Sequence, residues 1–188
     1  MRTSVILTNI LVLILASASN VSAANIAGVT LPDTVQVAGT TLLLNGAALR
    51  TKYMVKVYVA GLYLTQKSSD PDAIVKADAP KRIVMQFVRD VSKSQLTDGF
   101  AESFHNNTPD AENTLKPDID RLFSALEAVK EDEEITFTYL PEKGTSVALG
   151  DKEKLTIAGP AFAGMLFSVW LGPKPPNASL KKGLTGQP

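Results

Sequence analysis

Hydrophobic and polar positions change period several times along this chain, and each change marks an element. The stretch from Leu42 to Leu64 holds two beta-type runs, LLLNGAAL and YMVKVYVAGLYL, with Arg50 between them. The second run is rich in Val, Tyr and Leu and lacks Pro and Asp, a composition suited to a strand. Its odd positions, Tyr53, Val55, Val57 and Val59, are the more uniformly apolar and are expected to face the core. Its even positions mix Met54, Tyr58, Ala60 and Leu62 with Lys56. Upstream, Pro32-Asp33 predicts a turn, Thr34 to Val37 a short strand, and Ala38-Gly39 a further turn. Downstream, TQKSSDPD reads as a loop in which Asp70 caps a short helix that starts at Pro71 and runs through Ala77. Lys81 to Val88 is the next strand.

Periodicity then turns helical. Ser92 and Gln95 form a capping-box pattern, and Leu96, Phe100 and Phe104 recur every four residues on one face. A second helix is expected from Pro117 to Val129, with a stripe of Ile119, Leu122, Phe123 and Leu126. Strict alternation returns in EITFTYL, Glu134 to Leu140. Gly144 and Gly150-Asp151 turn the chain into Thr145 to Leu149 and Lys154 to Ala158. A last helix opens at Gly159-Pro160, with Phe162, Met165, Leu166 and Val169 at helical spacing, and stops at Gly172-Pro173. The tail from Lys174 has three prolines and few large apolar groups, so its end is expected to be loose. The order is strands, helices, strands, helix, with short turns among the later strands. It predicts an α+β fold: an antiparallel sheet with helices gathered on one side.

Composition narrows the functional classes. The 188 residues make one domain the default, and a 45% hydrophobic share is enough for a core. Lys plus Arg and Asp plus Glu are 19 each, a formal charge of zero that argues against an electrostatic grip by the whole chain on nucleic acid or anionic lipid. The absence of cysteine removes disulfides, thiol catalysis and thiolate metal sites. Met1 to Ala23 carries Arg2, an apolar centre from Val5 to Ala16, and Val21-Ser22-Ala23 as a small-residue cleavage pattern. It reads as a secretory signal, too short in its apolar run to span a bilayer. The expected organisation is therefore a leader over residues 1–23 and one domain over 24–188, periplasmic or secreted, with no membrane span after leader removal. Losing Arg2 leaves 18 basic against 19 acidic groups, a net charge of −1.

The pattern L-x-G-x-x-x-R, from Leu44 to Arg50, followed by KVYVAGLYL, resembles the chalcone isomerase family in its broad sense, most closely its bacterial exported branch. Arg82 to Phe87 with the following helix, ITFTYLPEKGTSVAL, and the ending with Gly172, Ser179 and Lys181 extend the resemblance over most of the chain. It implies an open-faced β-sandwich with an apolar cleft between a large antiparallel sheet and helices. It also places Asn45-Gly46, otherwise a hairpin signal, at a bulge within a strand.

The resemblance implies that Arg50 matches the strand arginine that holds a developing oxyanion in the isomerases. Tyr58 stands where those enzymes carry a threonine. Their helix tyrosine and asparagine have no counterpart near Ser94 to Leu96 or Ala101, and a hydroxyl on the last helix is replaced by Ala163. The fatty-acid-binding relatives resemble this chain in pairing the arginine with a tyrosine. A guanidinium fork suits a carboxylate, and a phenol donates a further hydrogen bond. Eight strand positions span about 26 Å, so Arg50 and Tyr58 can share one ligand only if the chain reverses between them, near Thr51-Lys52. The expected ligand-binding residues are Arg50 and Tyr58, with no metal, cofactor or nucleic acid.

Three functions stay open: a non-catalytic binder of a fatty acid or similar apolar anion; an isomerase acting on an unknown enone with Arg50 as oxyanion stabiliser; and a structural module with a filled cleft. Elsewhere, His105 reads as a solvent-facing helix-end residue and Trp170 as core. The acidic residues from Asp118 to Glu134 read as solvated helix and loop charges, and Arg82 and Arg89 as groups flanking a strand, in ion pairs or, as the alternative, lining the cleft.

Overall fold

A computed structural model describes residues 23–187. The expected leader lies outside them but for Ala23. Two short strands, β1 (Ala23–Ile26) and β2 (Val29–Pro32), form a hairpin of their own. The main sheet has seven strands: β3 (Thr34–Val37), β4 (Thr40–Lys52), β5 (Val55–Leu64), β6 (Lys81–Phe87), β7 (Glu134–Leu140), β8 (Gly144–Leu149) and β9 (Lys152–Ile157). Their spatial order equals their chain order, and every neighbouring pair is antiparallel. Helices are inserted without disturbing that order. α1 (Pro71–Lys76) lies between β5 and β6. α2 (Lys93–Asn107), α3 (Pro109–Thr114) and α4 (Lys116–Ala125) lie between β6 and β7. α5 (Pro160–Leu171) and α6 (Ala178–Leu184) follow β9.

The local signals explain most boundaries. Asp70 accepts hydrogen bonds from the backbone N–H of Asp72 and Ala73 and so starts α1. Ser92 and Gln95 satisfy each other's backbone donors at the start of α2. Leu96, Phe100 and Phe104 are all buried. The helix expected from Pro117 to Val129 is shorter: α4 ends at Ala125, because Leu126 leaves helical geometry and Val129 pairs instead with Val91. α3, which buries no residue, carries no apolar stripe for the sequence to show.

The sheet has two covered faces, and this overturns the expected facing of β5. Tyr58, Ala60, Leu62 and Leu64, its even positions, pack under the helices in the main core. Val59 and Tyr63 face the opposite side, where Val29 and Leu31 of the β1–β2 hairpin cover them. Tyr53 and Val55 are exposed. Val59 and Tyr63 are apolar because they too are buried, under a hairpin, whereas Tyr53 lies in the turn, Val55 is exposed at the start of β5, and Val57, beside the register shift, packs partly against the main core. Gly61 belongs to this second layer: a Cβ there would come within 2.7 Å of a Leu31 methyl, so glycine lets the hairpin settle.

α5 is apolar on all sides because sheet, α1 and α2 surround it; nine of its residues are buried. The tail is not loose. α6 lies on β4, with Leu180 and Leu184 fully buried. Its anchor is the Asn45 bulge, where the β4–β5 register shifts between Leu44 and Gly46. Asn45 Nδ2 donates to the carbonyls of Leu184 (2.8 Å) and Ser68 (2.9 Å), and its Oδ1 accepts from the Ser68 N–H. Lys181 donates to the Gly172 carbonyl at 2.9 Å, closing the end of α5.

Candidate functional site

The site grows out of the β4–β5 hairpin. The chain reverses at Tyr53-Met54, two residues later than expected, and Arg50 and Tyr58 become direct cross-strand partners. A second register shift, between Arg50 and Thr51, brings their side chains to the same side. The Arg50 guanidinium carbon lies 5.6 Å from the centre of the Tyr58 ring, within cation–π range.

Tyr58 is buried, and its hydroxyl accepts a hydrogen bond from Trp170 Nε1 at 3.0 Å. Burial raises its pKa; Arg50 and the Trp170 bond pull the other way but do not prevail. The phenol is therefore a neutral donor, not a phenolate base. With Trp170 on an oxygen lone pair, its own proton remains available to donate.

Arg50 is half-buried. Among the described residues it has no carboxylate within ion-pair distance, and its Nε is buried without a hydrogen-bond partner. Such a group is rare in a folded interior and marks a place where a partner belongs.

Beside this pair lies an apolar void between the sheet and α2 and α5. Met85, Phe87, Leu96, Phe100 and Trp170 are among the residues of its wall. Its volume is about 50 Å³. Two open grooves of about 350 and 300 Å³ meet Arg50 from outside, one toward Arg89 and Asp98, the other toward Glu102 and Asn177. Arg50 thus stands at the mouth of the void, not at its inner end.

The remaining polar groups on the void wall are engaged. Gln95 is held by the α2 cap, and Ser103 donates to the Gly99 carbonyl. Among the described residues, neither a carboxylate nor a histidine lines the void. The arrangement can bind and polarise an anionic oxygen, but it presents no general base inside.

The chain matches the chalcone isomerase-like family over residues 23–186. It belongs to that family. Among solved structures, this chalcone isomerase-like chain is similar to a fatty-acid binding protein of Arabidopsis thaliana, with a TM-score of 0.69 and 14% sequence identity. The match covers 87% of this chain and 96% of the other. That similarity shows a shared fold. No curated protein matches the sequence.

The family motif residues divide by role. Arg50 and Tyr58 reach the void. Gly46, Gly61, Gly172 and Lys181 serve packing: a Cβ at Gly46 would fall 2.1 Å from the Gly183 carbonyl oxygen, and one at Gly172 would fall 2.4 Å from Asn107 Oδ1. His105 is exposed and lies 3.3 Å from Glu112. Arg82 donates to Thr138, and Arg89 lines the outer groove. Trp170 is the residue that sequence reasoning undervalued. It is core, as expected, yet it also fixes the Tyr58 hydroxyl, a link across 112 positions that no local pattern encodes.

Proposed function

We propose that this protein is an exported, non-catalytic binder of a fatty acid or a similar amphiphilic anion. The carrying observation is the half-buried Arg50, unpaired and with an orphaned Nε, at the mouth of an apolar void. A carboxylate there would take the guanidinium fork and the Tyr58 proton together. The fatty-acid binding function of the Arabidopsis thaliana neighbour supports the ligand class. The apolar, cleavable-looking leader supports export.

Ligand pockets are usually about 300–1,000 Å³, so a void of about 50 Å³ has to widen to take an acyl chain. The α2 wall is the part that would have to yield: Leu96 and Phe100 line the void, and with Phe104 they are the only buried residues of that helix.

The test is native mass spectrometry of protein expressed with its leader, followed by displacement titration of a fluorescent fatty acid. Bound lipid should be found, and Arg50→Ala should weaken binding at least about tenfold, the value of one charge-assisted contact. Lipid-free protein with no affinity for fatty acids would refute the proposal. The small void favours a second reading, a structural module with a filled cleft; there, Arg50→Ala changes only stability.

A further inference from the structure

The reversal that creates the Arg50–Tyr58 pair has an unusual tip. Lys52 pairs with Val55, leaving a two-residue turn of Tyr53 and Met54. Both have positive φ, 50° and 65°. Turns of this hand strongly favour Asn-Gly, because side chains are strained there. Here two large side chains occupy them and project into water, Tyr53 90% and Met54 98% exposed, with Val55 44% exposed behind. Both strain and exposure cost stability, and within the described fold they are offset only weakly, by Lys52 Nζ standing 5.9 Å from the centre of the exposed Tyr53 ring.

Cations ring the base of this tip. Lys52 and Lys56 are exposed on the hairpin arms, and Arg89 stands across the adjoining groove. Among the described residues none of the three has a carboxylate within ion-pair distance. Asp98 on α2 also lines the groove, and Asp90 is engaged by Lys130.

We propose that the Tyr53–Met54 tip docks the protein on an anionic lipid surface, with its side chains in the interface and the three cations among the headgroups. The chemistry fits a bilayer better than a protein partner. Tyr is enriched at membrane interfaces, basic residues are drawn to anionic lipid, and two residues fall far short of the roughly 800 Å² a stable protein interface buries on each side. The groove toward Arg50 begins at this tip, lined by Lys52, Tyr53 and Val55. If the proposed ligand reading holds, the docked orientation sets the mouth of the void against the lipid that supplies it.

The test uses the double variant Tyr53→Asn, Met54→Gly, which supplies the residues this turn prefers. Co-sedimentation with phosphatidylcholine vesicles, with and without phosphatidylglycerol, reads docking; urea denaturation reads folding. Wild type should sediment with the phosphatidylglycerol vesicles and be released by salt. The variant should bind at least about tenfold more weakly, from loss of two large apolar groups, while its urea midpoint rises. Wild type that stays in solution with both vesicle types overturns the proposal and leaves the tip to a protein partner. Unchanged vesicle binding by the variant overturns it equally. Displacement of a soluble fluorescent fatty acid, run on the same samples, is independent of docking: vesicle binding without fatty-acid binding upholds the tip and removes the ligand reading.

Discussion

Arg50 gives the fold one cation–π contact, over the Tyr58 ring, and its charge is otherwise unanswered by the described residues. Its Nε is buried without a partner and the charge is half-withdrawn from water, a state that costs stability unless something completes it. Arg50→Met should therefore leave stability unchanged or raise it by about 1 kcal/mol in urea denaturation, while fatty-acid displacement is lost. A clear loss of stability would make Arg50 a structural residue. Tyr58→Phe should act oppositely. It leaves the buried Trp170 indole N–H without its acceptor and should cost about 1–2 kcal/mol.

Lys81 is the second buried cation, and it is fully occupied. Its ammonium donates to the carbonyls of Ile74, Val75 and Ala77, the last turn of α1, and lies between the rings of Tyr139 and Phe167. Replacing it by Met strands those carbonyls and should cost about 2 kcal/mol.

At the scale of elements, the bulge at Asn45-Gly46 decides where the chain ends. The pair reads locally as a hairpin turn, yet it interrupts a long strand, because only glycine lets α6 come this close. A Cβ at Gly46 would meet two backbone oxygens, those of Gly183 and Leu184, and backbone does not give way as a side-chain tip does. Gly46→Ala should destabilise by about 3 kcal/mol and free α6, seen as faster amide exchange over residues 178–184. Gly61→Ala meets side chains alone, the end of Leu31 at 2.7 Å and the Tyr63 ring at 3.3 Å, and should cost about 1 kcal/mol. Equal costs at the two glycines would contradict this account of α6.

For the molecule as a whole, buried titratable groups set the alkaline stability profile. Burial pushes Lys81 down to about 8, with Asp78 opposing. A base with a lowered folded pKa binds fewer protons folded than unfolded, so stability should climb as pH rises from about 8 toward the ordinary lysine value. Burial and the bond to Asp78 push Tyr139 up to about 12, and burial raises Tyr63 and Tyr58 as well. These phenols stay neutral folded but ionise unfolded, so stability should fall again above about pH 10. The urea midpoint should thus peak near pH 10, and Lys81→Met should remove the rising limb. A midpoint that falls steadily from pH 8 would show that Lys81 is not held as described.

What the residue pattern determined by itself was most of the element series and its class, without the β1–β2 hairpin, α3 and α6. Strand and helix periods, the Asp70 and Ser92 caps and the helix-opening prolines act between neighbours, so they survive without knowledge of the fold. The pairing of Arg50 with Tyr58 was expected from the resemblance and a reversal between two strand runs, but the register shift that brings the two side chains to one side belongs to the tertiary structure. Packing between distant segments decided the rest. A strand buried on both faces does not announce which face meets the helices, so the orientation of β5 had to wait for the β1–β2 hairpin. α6 looked unanchored because its partners, Asn45 and Gly46, lie far back in the chain. The size of the void beside Arg50, and its position at the mouth rather than the depth, depend on how closely α2 and α5 close over the sheet. That closeness is a sum of contacts across the whole core, and no single stretch of sequence carries it.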